Sequence, residues 1–280
     1  MSDAKSGAMS DAMSDAKSGA MSGTGDAPRV RLVVPCHNEA RRLDPAAFLA
    51  ALDAAPWLSL LFVDDGSTDD TAARLEALVA ARPGRARLLR LSRNQGKAEA
   101  VRHGLREAVQ DAPVCGFWDA DLAAPLAEVA TLRAVLQRDP AVEWVWGIRL
   151  RALGRDVRRR ALRHYLGRGF ATATSLLLGI DSYDTQCGAK LFRDGALLRA
   201  VLAEPFRSRW IFDVELLARA DALLAAEGTR ALGAVVYEQP LAVWHHQPGS
   251  KVRGGDFARA LAELWTVRQS RAVWRRPLTA

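Results

Sequence analysis

From residue 29 onward, short apolar runs alternate with longer stretches of helical spacing. Val30-Arg31-Leu32-Val33-Val34, halted by Pro35, is a β-branched run that predicts a buried strand followed by a loop. Residues 45–55 have helical spacing, and a second strand is predicted over 58–63, ending in Asp64-Asp65-Gly66-Ser67. A helix over 68–81 follows, with Asp69 and Asp70 suited to its first turn. Strands are predicted at 87–91 and 114–118, with a helix over 97–110 between them. Strands alternating with helices of about ten to fifteen residues imply βαβ units and a mainly parallel sheet. Beyond residue 142 the pattern loosens. It predicts a strand at 142–148, an arginine-rich segment, a helix through Leu178, a loop over 181–190, a helix over 212–224, a strand at 231–237 and a basic helix from Asp256.

The first residues follow a different rule. MSDAKSGAMS at 1–10 recurs at 13–22, with no apolar stretch to act as a secretory signal and too little apolar surface to offset the entropy of ordering. Residues 1–28 are therefore expected to be a disordered tail, 29–255 one catalytic domain, and 256–280 a basic amphipathic helix and tail. At 49% hydrophobic and 25% charged, with Gly 21, Pro 12 and Cys 3, the chain of 280 residues is neither collagen-like, disulfide-stapled nor wholly disordered. No run reaches the ~18 apolar residues of a membrane helix. Cys36, Cys115 and Cys187 match neither a zinc spacing nor a disulfide framework, which favours a cytoplasmic location.

Charge becomes informative once it is located. Residues 149–168 hold eight Arg and one Asp, a surplus that equals the net charge of +7 of the whole chain. Such a concentration suggests an anionic partner: a phosphate, a phospholipid surface or nucleic acid. Nucleic acid is disfavoured by the acidic strand ends and by the lack of interleaved aromatic and basic residues. No G-x-G-x-x-G follows the first strand, which argues against a dinucleotide oxidoreductase.

Three predicted strands end in polar clusters, Cys36-His37-Asn38-Glu39, Asp64-Asp65-Gly66-Ser67 and Asp119-Ala120-Asp121. Open α/β sheets bind ligands outside the carboxyl ends of their strands, so the clusters should share one crevice. Two carboxylates two residues apart suit a hard divalent cation that also takes phosphate oxygens, as in a bound nucleoside diphosphate; a solvated turn is the plain alternative. Asp64-Asp65-Gly66-Ser67 reads either as a turn with a helix cap or as carboxylates accepting hydrogen bonds from a base or ribose. Asn94-Gln95-Gly96-Lys97 is no P-loop, because Ala98 stands where Ser or Thr is required.

The order of VVPCHNE (33–39), FVDDGSTDDT (62–71), LSRNQGKAEAVRHG (91–104) and WDADLAAP (118–125) resembles the family 2 glycosyltransferases of the GT-A fold. DTQCGAKLF (184–192), RWIFDVELL (209–217) and PGSKV (248–252) look like the polyprenyl-phosphate glycosyltransferases within it, over roughly residues 29–270. The resemblance implies a single α/β domain and a metal-dependent, inverting hexosyl transfer from a UDP-sugar, with UDP-glucose the expected donor, to a polyprenyl (dolichyl-like) phosphate. A small-molecule acceptor and a non-catalytic sugar-nucleotide binder are the alternatives. It further implies that Pro35, Asn38, Glu39, Asp64 or Asp65, and Lys97 border the nucleotide, and that Asp119 and Asp121 hold Mg²⁺ or Mn²⁺ and the diphosphate. Arg149, with Arg158, Arg159 or Arg160, is expected to grip the acceptor phosphate. Gln186 in its polar loop, Arg209 and Trp210 would line the sugar and acceptor pocket, Asp213 would position substrate, and Ser250 and Lys251 would close over the diphosphate. Trp265 and Trp274, with Arg275 and Arg276, are expected to seat the last helix on a membrane face, whereas His245-His246 reads as structural.

Overall fold

The computed structural model describes residues 29–158, 161–247, 256–276 and 278. Residues 1–28, Arg159, Arg160, Ser250 and Lys251 lie outside the described residues.

The chain opens with β1 (Val30–Cys36) and α1 (Pro45–Ala54). Asp44 caps α1 by accepting from the Ala47 amide at 3.1 Å, and Pro45 stands at its first turn, where no N–H is missed. Next come β2 (Leu58–Asp64), α2 (Thr71–Ala81), β3 (Ala86–Arg90), α3 (Lys97–Ala108) and β4 (Val114–Trp118). The later half is built from α4 (Glu128–Arg138), β5 (Trp144–Ile148), β6 (Asp156–Arg158), α5 (Ala161–Leu178), β7 (Ala189–Arg193), α6 (Ala196–Leu202), α7 (Phe212–Glu227), α8 (Leu232–Val235), β8 (Val236–Pro240), β9 (Val243–His245) and α9 (Asp256–Trp274).

Among the described residues, seven strands form one sheet in the order β3-β2-β1-β4-β7-β5-β8, and β6 pairs with β9 in a small second sheet. β7 runs antiparallel to both β4 and β5; the remaining neighbours in the large sheet are parallel. Helices cover both faces, so the strands are apolar throughout instead of alternating. Val33 and Phe117 face the layer of α3, α6 and α7, while Val34 and Trp118 face that of α1 and α4. The register sets the strand ends level: Cys36 pairs with Asp64, and the Asp65 amide donates to the Cys36 carbonyl at 2.8 Å. That levelling brings the polar clusters together.

Three elements differ from the sequence expectation. The predicted loop over 181–190 ends at Gly188, and β7 begins at once, inserted between β4 and β5. The predicted strand at 231–237 is the single turn α8 followed by β8, because β8 starts where its partner does, Val236 opposite Trp144. α2 starts at Thr71, not residue 68, since the preceding turn is tied up by side chains: Asp64 accepts from the Ser67 amide, Asn38 from that of Thr68 and Asp69 from that of Thr71. α9 packs against α5 and α7, with Ala260, Leu264, Val267 and Trp274 in the core. Trp274 is therefore buried and cannot face a membrane, whereas Trp265 is exposed. Among the described residues no helix is long and apolar enough to cross a membrane.

Candidate functional site

The floor of the crevice is made of loops that hold one another. Asp65, buried, accepts from the Gln95 amide at 2.7 Å and the Gly96 amide at 2.8 Å, so both its oxygens are committed to the N-terminus of α3. Asp64, equally buried, accepts from the Ser67 amide at 3.1 Å and lies 3.9 Å from Arg90 Nε. Gly66 has φ +62°, and a Cβ there would sit 2.5 Å from the Arg93 carbonyl carbon, so only glycine lets the two loops touch. Asn38, at φ +52°, accepts from the Thr68 amide at 2.9 Å and donates its own amide to Ser67 Oγ at 3.0 Å. Glu39 takes Arg42 in a two-pronged ion pair at 2.7 and 2.5 Å. Pro35 lies opposite Val63 in the sheet.

Above this floor lies an acidic centre. Lys97, the first residue of α3, places Nζ 2.5 Å from Asp119 Oδ1. Asp121 accepts from the Ala123 amide at 3.1 Å across a turn in which Leu122 has φ +51°. Burial, and then the like charge of Asp119, push the Asp121 carboxyl up from its ordinary value. Burial pulls the Lys97 ammonium down, but Asp119, Asp213 and Asp121 outweigh it and the net shift is upward. Asp213, in the first turn of α7, is pushed up by burial in spite of Lys190 and Lys97. The four groups Lys97, Asp119, Asp121 and Asp213 thus feel one another's fields.

The loop before β7 closes one side. The Gly188 carbonyl accepts from the Asp119 amide at 3.0 Å, and a Cβ on Gly188 would overlap the Asp119 carboxylate. Lys190, fully buried, donates to Asp213 Oδ1 at 2.6 Å and to the carbonyls of Thr185 and Cys187. Its ammonium also lies 4.2 Å from the Trp146 ring centre. Glu238 on β8 accepts from Ser182 Oγ at 2.5 Å and the Tyr183 amide at 2.9 Å. Burial pushes the Cys187 thiol up to about 12, so it is an inert core group. The amide nitrogen of Gln186 is buried with no hydrogen-bond partner among the described residues.

Arg149 does not stand open. Its Nε and Nη2 meet Asp184 at 2.6 Å each, its own amide donates to the same carboxylate at 3.1 Å, and its guanidinium lies 5.3 Å from the Trp244 ring centre. Two other members of the basic segment have partners within the chain: Arg155 donates to the Pro240 carbonyl at 2.6 Å, and Arg158 pairs with Asp156 on the surface. Arg160 and Lys251 lie outside the described residues. Arg209 reaches Gly96, where its Nε would be 3.6 Å from an added Cβ, and Trp210 beside it is exposed. His245 bonds Asp156 at 2.7 Å, the structural use expected of it.

Lys190, Gly188 and Glu238 escaped sequence reading. Lys190 sits in the apolar stretch Ala-Lys-Leu-Phe, where a lone lysine was the available signal. Gly188 and Glu238 give none, since their roles depend on which strands become neighbours.

A mostly parallel sheet with helices on both faces and an Asp-x-Asp pair at a strand end is the GT-A arrangement. Glucosyl-3-phosphoglycerate synthase from Mycobacterium tuberculosis, solved with uridine diphosphate, shares the fold at TM-score 0.62 and 19% identity, over 87% of this chain and 81% of that one. Residues 32–199 match glycosyl transferase family 2, and the chain belongs to that family of glycosyltransferases. Dolichyl-phosphate beta-glucosyltransferase of Saccharomyces cerevisiae is 30% identical over 79% of this chain and 68% of the yeast protein. That of Dictyostelium discoideum is 31% identical over 66% of this chain and 60% of its own length. Polyprenol monophosphomannose synthase of Mycolicibacterium smegmatis is 25% identical over 88% of this chain and 92% of that protein.

Proposed function

We propose that this enzyme moves a hexose, glucose first among candidates, from a UDP-sugar to the phosphate of a polyprenyl carrier, with inversion and with Mg²⁺ or Mn²⁺. The observation that carries the reading is the convergence of Asp119, Asp121, Lys97 and Asp213 at the strand ends. The relatives named above supply the acceptor class.

The residues fit a divalent cation. Asp119 and Asp121 offer oxygen donors only, as Mg²⁺ and Mn²⁺ prefer, and the like-charge penalty on Asp121 is one that a cation would relieve. The remaining positions suit substrate phosphates and water. The related fold from M. tuberculosis was solved with Mn²⁺ and UDP. When bound, such an ion offsets charge on the departing diphosphate. Lys97, Arg209 and the Asn38, Glu39, Asp64 and Asp65 loops border the nucleotide on this reading. Arg149, held in place by Asp184, and the loop of Gln186 face the sugar and acceptor on this reading.

An acceptor phosphate oxygen forms the new bond to the anomeric carbon as the bond from that carbon to the diphosphate oxygen breaks, its electron pair leaving on UDP. The acceptor is already anionic near neutral pH, so a general base is unnecessary and Asp213, fixed by Lys190, serves to position. Catalysis then rests on positioning and electrostatics. Leu261, Trp265 (53%) and Arg268 fall on one stripe of α9, and Arg268 meets the Leu177 carbonyl next to exposed Leu176 (80%) on α5, a surface suited to peripheral contact with the membrane that holds the carrier.

The test is nucleoside diphosphate release from a panel of UDP- and GDP-sugars with Mg²⁺ or Mn²⁺, with and without a short-chain polyprenyl phosphate. Release that requires metal, a UDP-hexose and the lipid phosphate is expected. Turnover indifferent to the lipid moves the acceptor to a small soluble molecule, and tight nucleotide binding without turnover makes the protein a sugar-nucleotide binder.

A further inference from the structure

The stretch that carries Arg209 and Trp210 has no regular secondary structure, and its amides need partners from elsewhere. Two carboxylates supply them. Glu215, inside α7, accepts from the Arg207 amide at 3.0 Å and from the Ser208 amide and hydroxyl at 2.7 Å each. Glu263, on α9, accepts from the next three amides in line: Arg209 at 3.4 Å, Trp210 at 3.0 Å and Ile211 at 3.1 Å. The α7 N-cap, Ile211, has no side chain able to accept a bond, and its own backbone amide is taken by Glu263 from another helix. On the carbonyl side, Arg219 donates to Val201, Glu204 and Pro205 at 2.9, 2.8 and 2.6 Å. Every amide from 207 to 211 is thereby assigned, and among the described residues those of 209–211 are taken by Glu263.

We infer that Glu263 is a positioning residue for the transfer: through the amides of 209–211 it sets Arg209 against Gly96. This rests on the proposed transferase reading for its effect on rate, but not for its effect on structure. A carboxylate is needed because one group must accept three bonds; a glutamine keeps one acceptor oxygen and adds an NH₂ that cannot accept. Glu263→Asp keeps the charge but withdraws it by one methylene.

The experiment uses Glu263→Gln, Glu263→Ala, Glu263→Asp, Arg209→Ala and the Glu263→Ala/Arg209→Ala double variant in the full chain. Amide hydrogen exchange of each is followed alongside nucleoside diphosphate release. Faster exchange at 209–211 by about tenfold or more, with 207–208 unchanged because Glu215 still holds them, is the expected structural result. Turnover should fall about tenfold in Glu263→Ala, less in Glu263→Asp, and the double variant should be no slower than Arg209→Ala alone, since one residue acts through the other. Unchanged exchange at 209–211 overturns the inference, and so do losses that multiply in the double variant. Should the alanine variant fail to fold, the isosteric Glu263→Gln carries the same two readouts. A wild-type chain without turnover counts against the transferase reading, and the inference is then decided by the exchange pattern.

Discussion

Gly188→Ala isolates the geometry of the acidic centre from its chemistry. Gly188 is not among the glycines with positive φ, so alanine meets no backbone strain there. What it meets is the Asp119 carboxylate, whose two oxygens and Cγ are the nearest atoms to an added Cβ. Pushing on a packed interior costs about 1–3 kcal/mol, and the low end applies where a short terminal group can swing away. Near 1 kcal/mol, a chain of this size loses roughly 2–4 °C of Tm. Swinging away, however, separates Asp119 from Lys97 and from Asp121, and a displacement of ~1 Å at reacting groups costs about a hundredfold in rate. The expected signature is a small loss of stability with a large loss of metal-dependent diphosphate release, measured by thermal unfolding and steady-state kinetics. Gly233→Ala, in α8 with nothing within 4 Å, is the matched control: it should leave turnover unchanged and keep or slightly raise Tm. Turnover of Gly188→Ala within about twofold of wild type, with the same metal requirement, would refute the placement of Asp119.

Asp121→Asn should lower turnover by about a hundredfold or more while raising Tm near pH 7. Burial and Asp119 favour the protonated Asp121, so that preference stabilises the ligand-free fold below the ordinary carboxylate pKa and is lost as pH rises through the raised value; the gap between variant and wild type should close on acidification. Lys190→Met leaves Asp213 buried without its cation and should cost about 3–5 kcal/mol in urea unfolding, whereas Lys190→Met with Asp213→Leu should recover most of it. Arg149→Ala should raise the acceptor KM about tenfold; an unchanged acceptor KM and rate put the phosphate clamp elsewhere.

The parallel half of the sheet was legible because its strands are buried on both faces and read as unbroken apolar runs between turn residues. The second half was not, for a physical reason. Whether residues 231–237 form strand or helix depends on where β5 begins, and residue 189 starts a strand only because β4 and β5 leave a gap between them. The carboxylates of the site were legible as types and spacings, and Asp119 and Asp121 do lie where the strand ends meet. Their duties were not. Asp65 resembles a ligand group in sequence, yet both its oxygens are spent on backbone amides of the next loop. Arg149 reads as an open phosphate clamp but is held by Asp184. Glu263 has no local signature, because a carboxylate that holds the loop ahead of another helix is recognisable only after the two helices have packed.

The strand that runs against the grain also sets an order of assembly. β4 acquires its second neighbour only when β7 arrives, after the whole arginine-rich stretch and α5 have been made. Until then Val114-Cys115-Gly116-Phe117-Trp118 presents an open, apolar edge with unpaired backbone groups, the kind of surface that recruits other chains. A nascent or truncated chain that stops before Ala189 has its parallel half drawn up but unsealed, and is expected to aggregate. Synthesis carried past Arg193 supplies the missing partner and closes that edge from within.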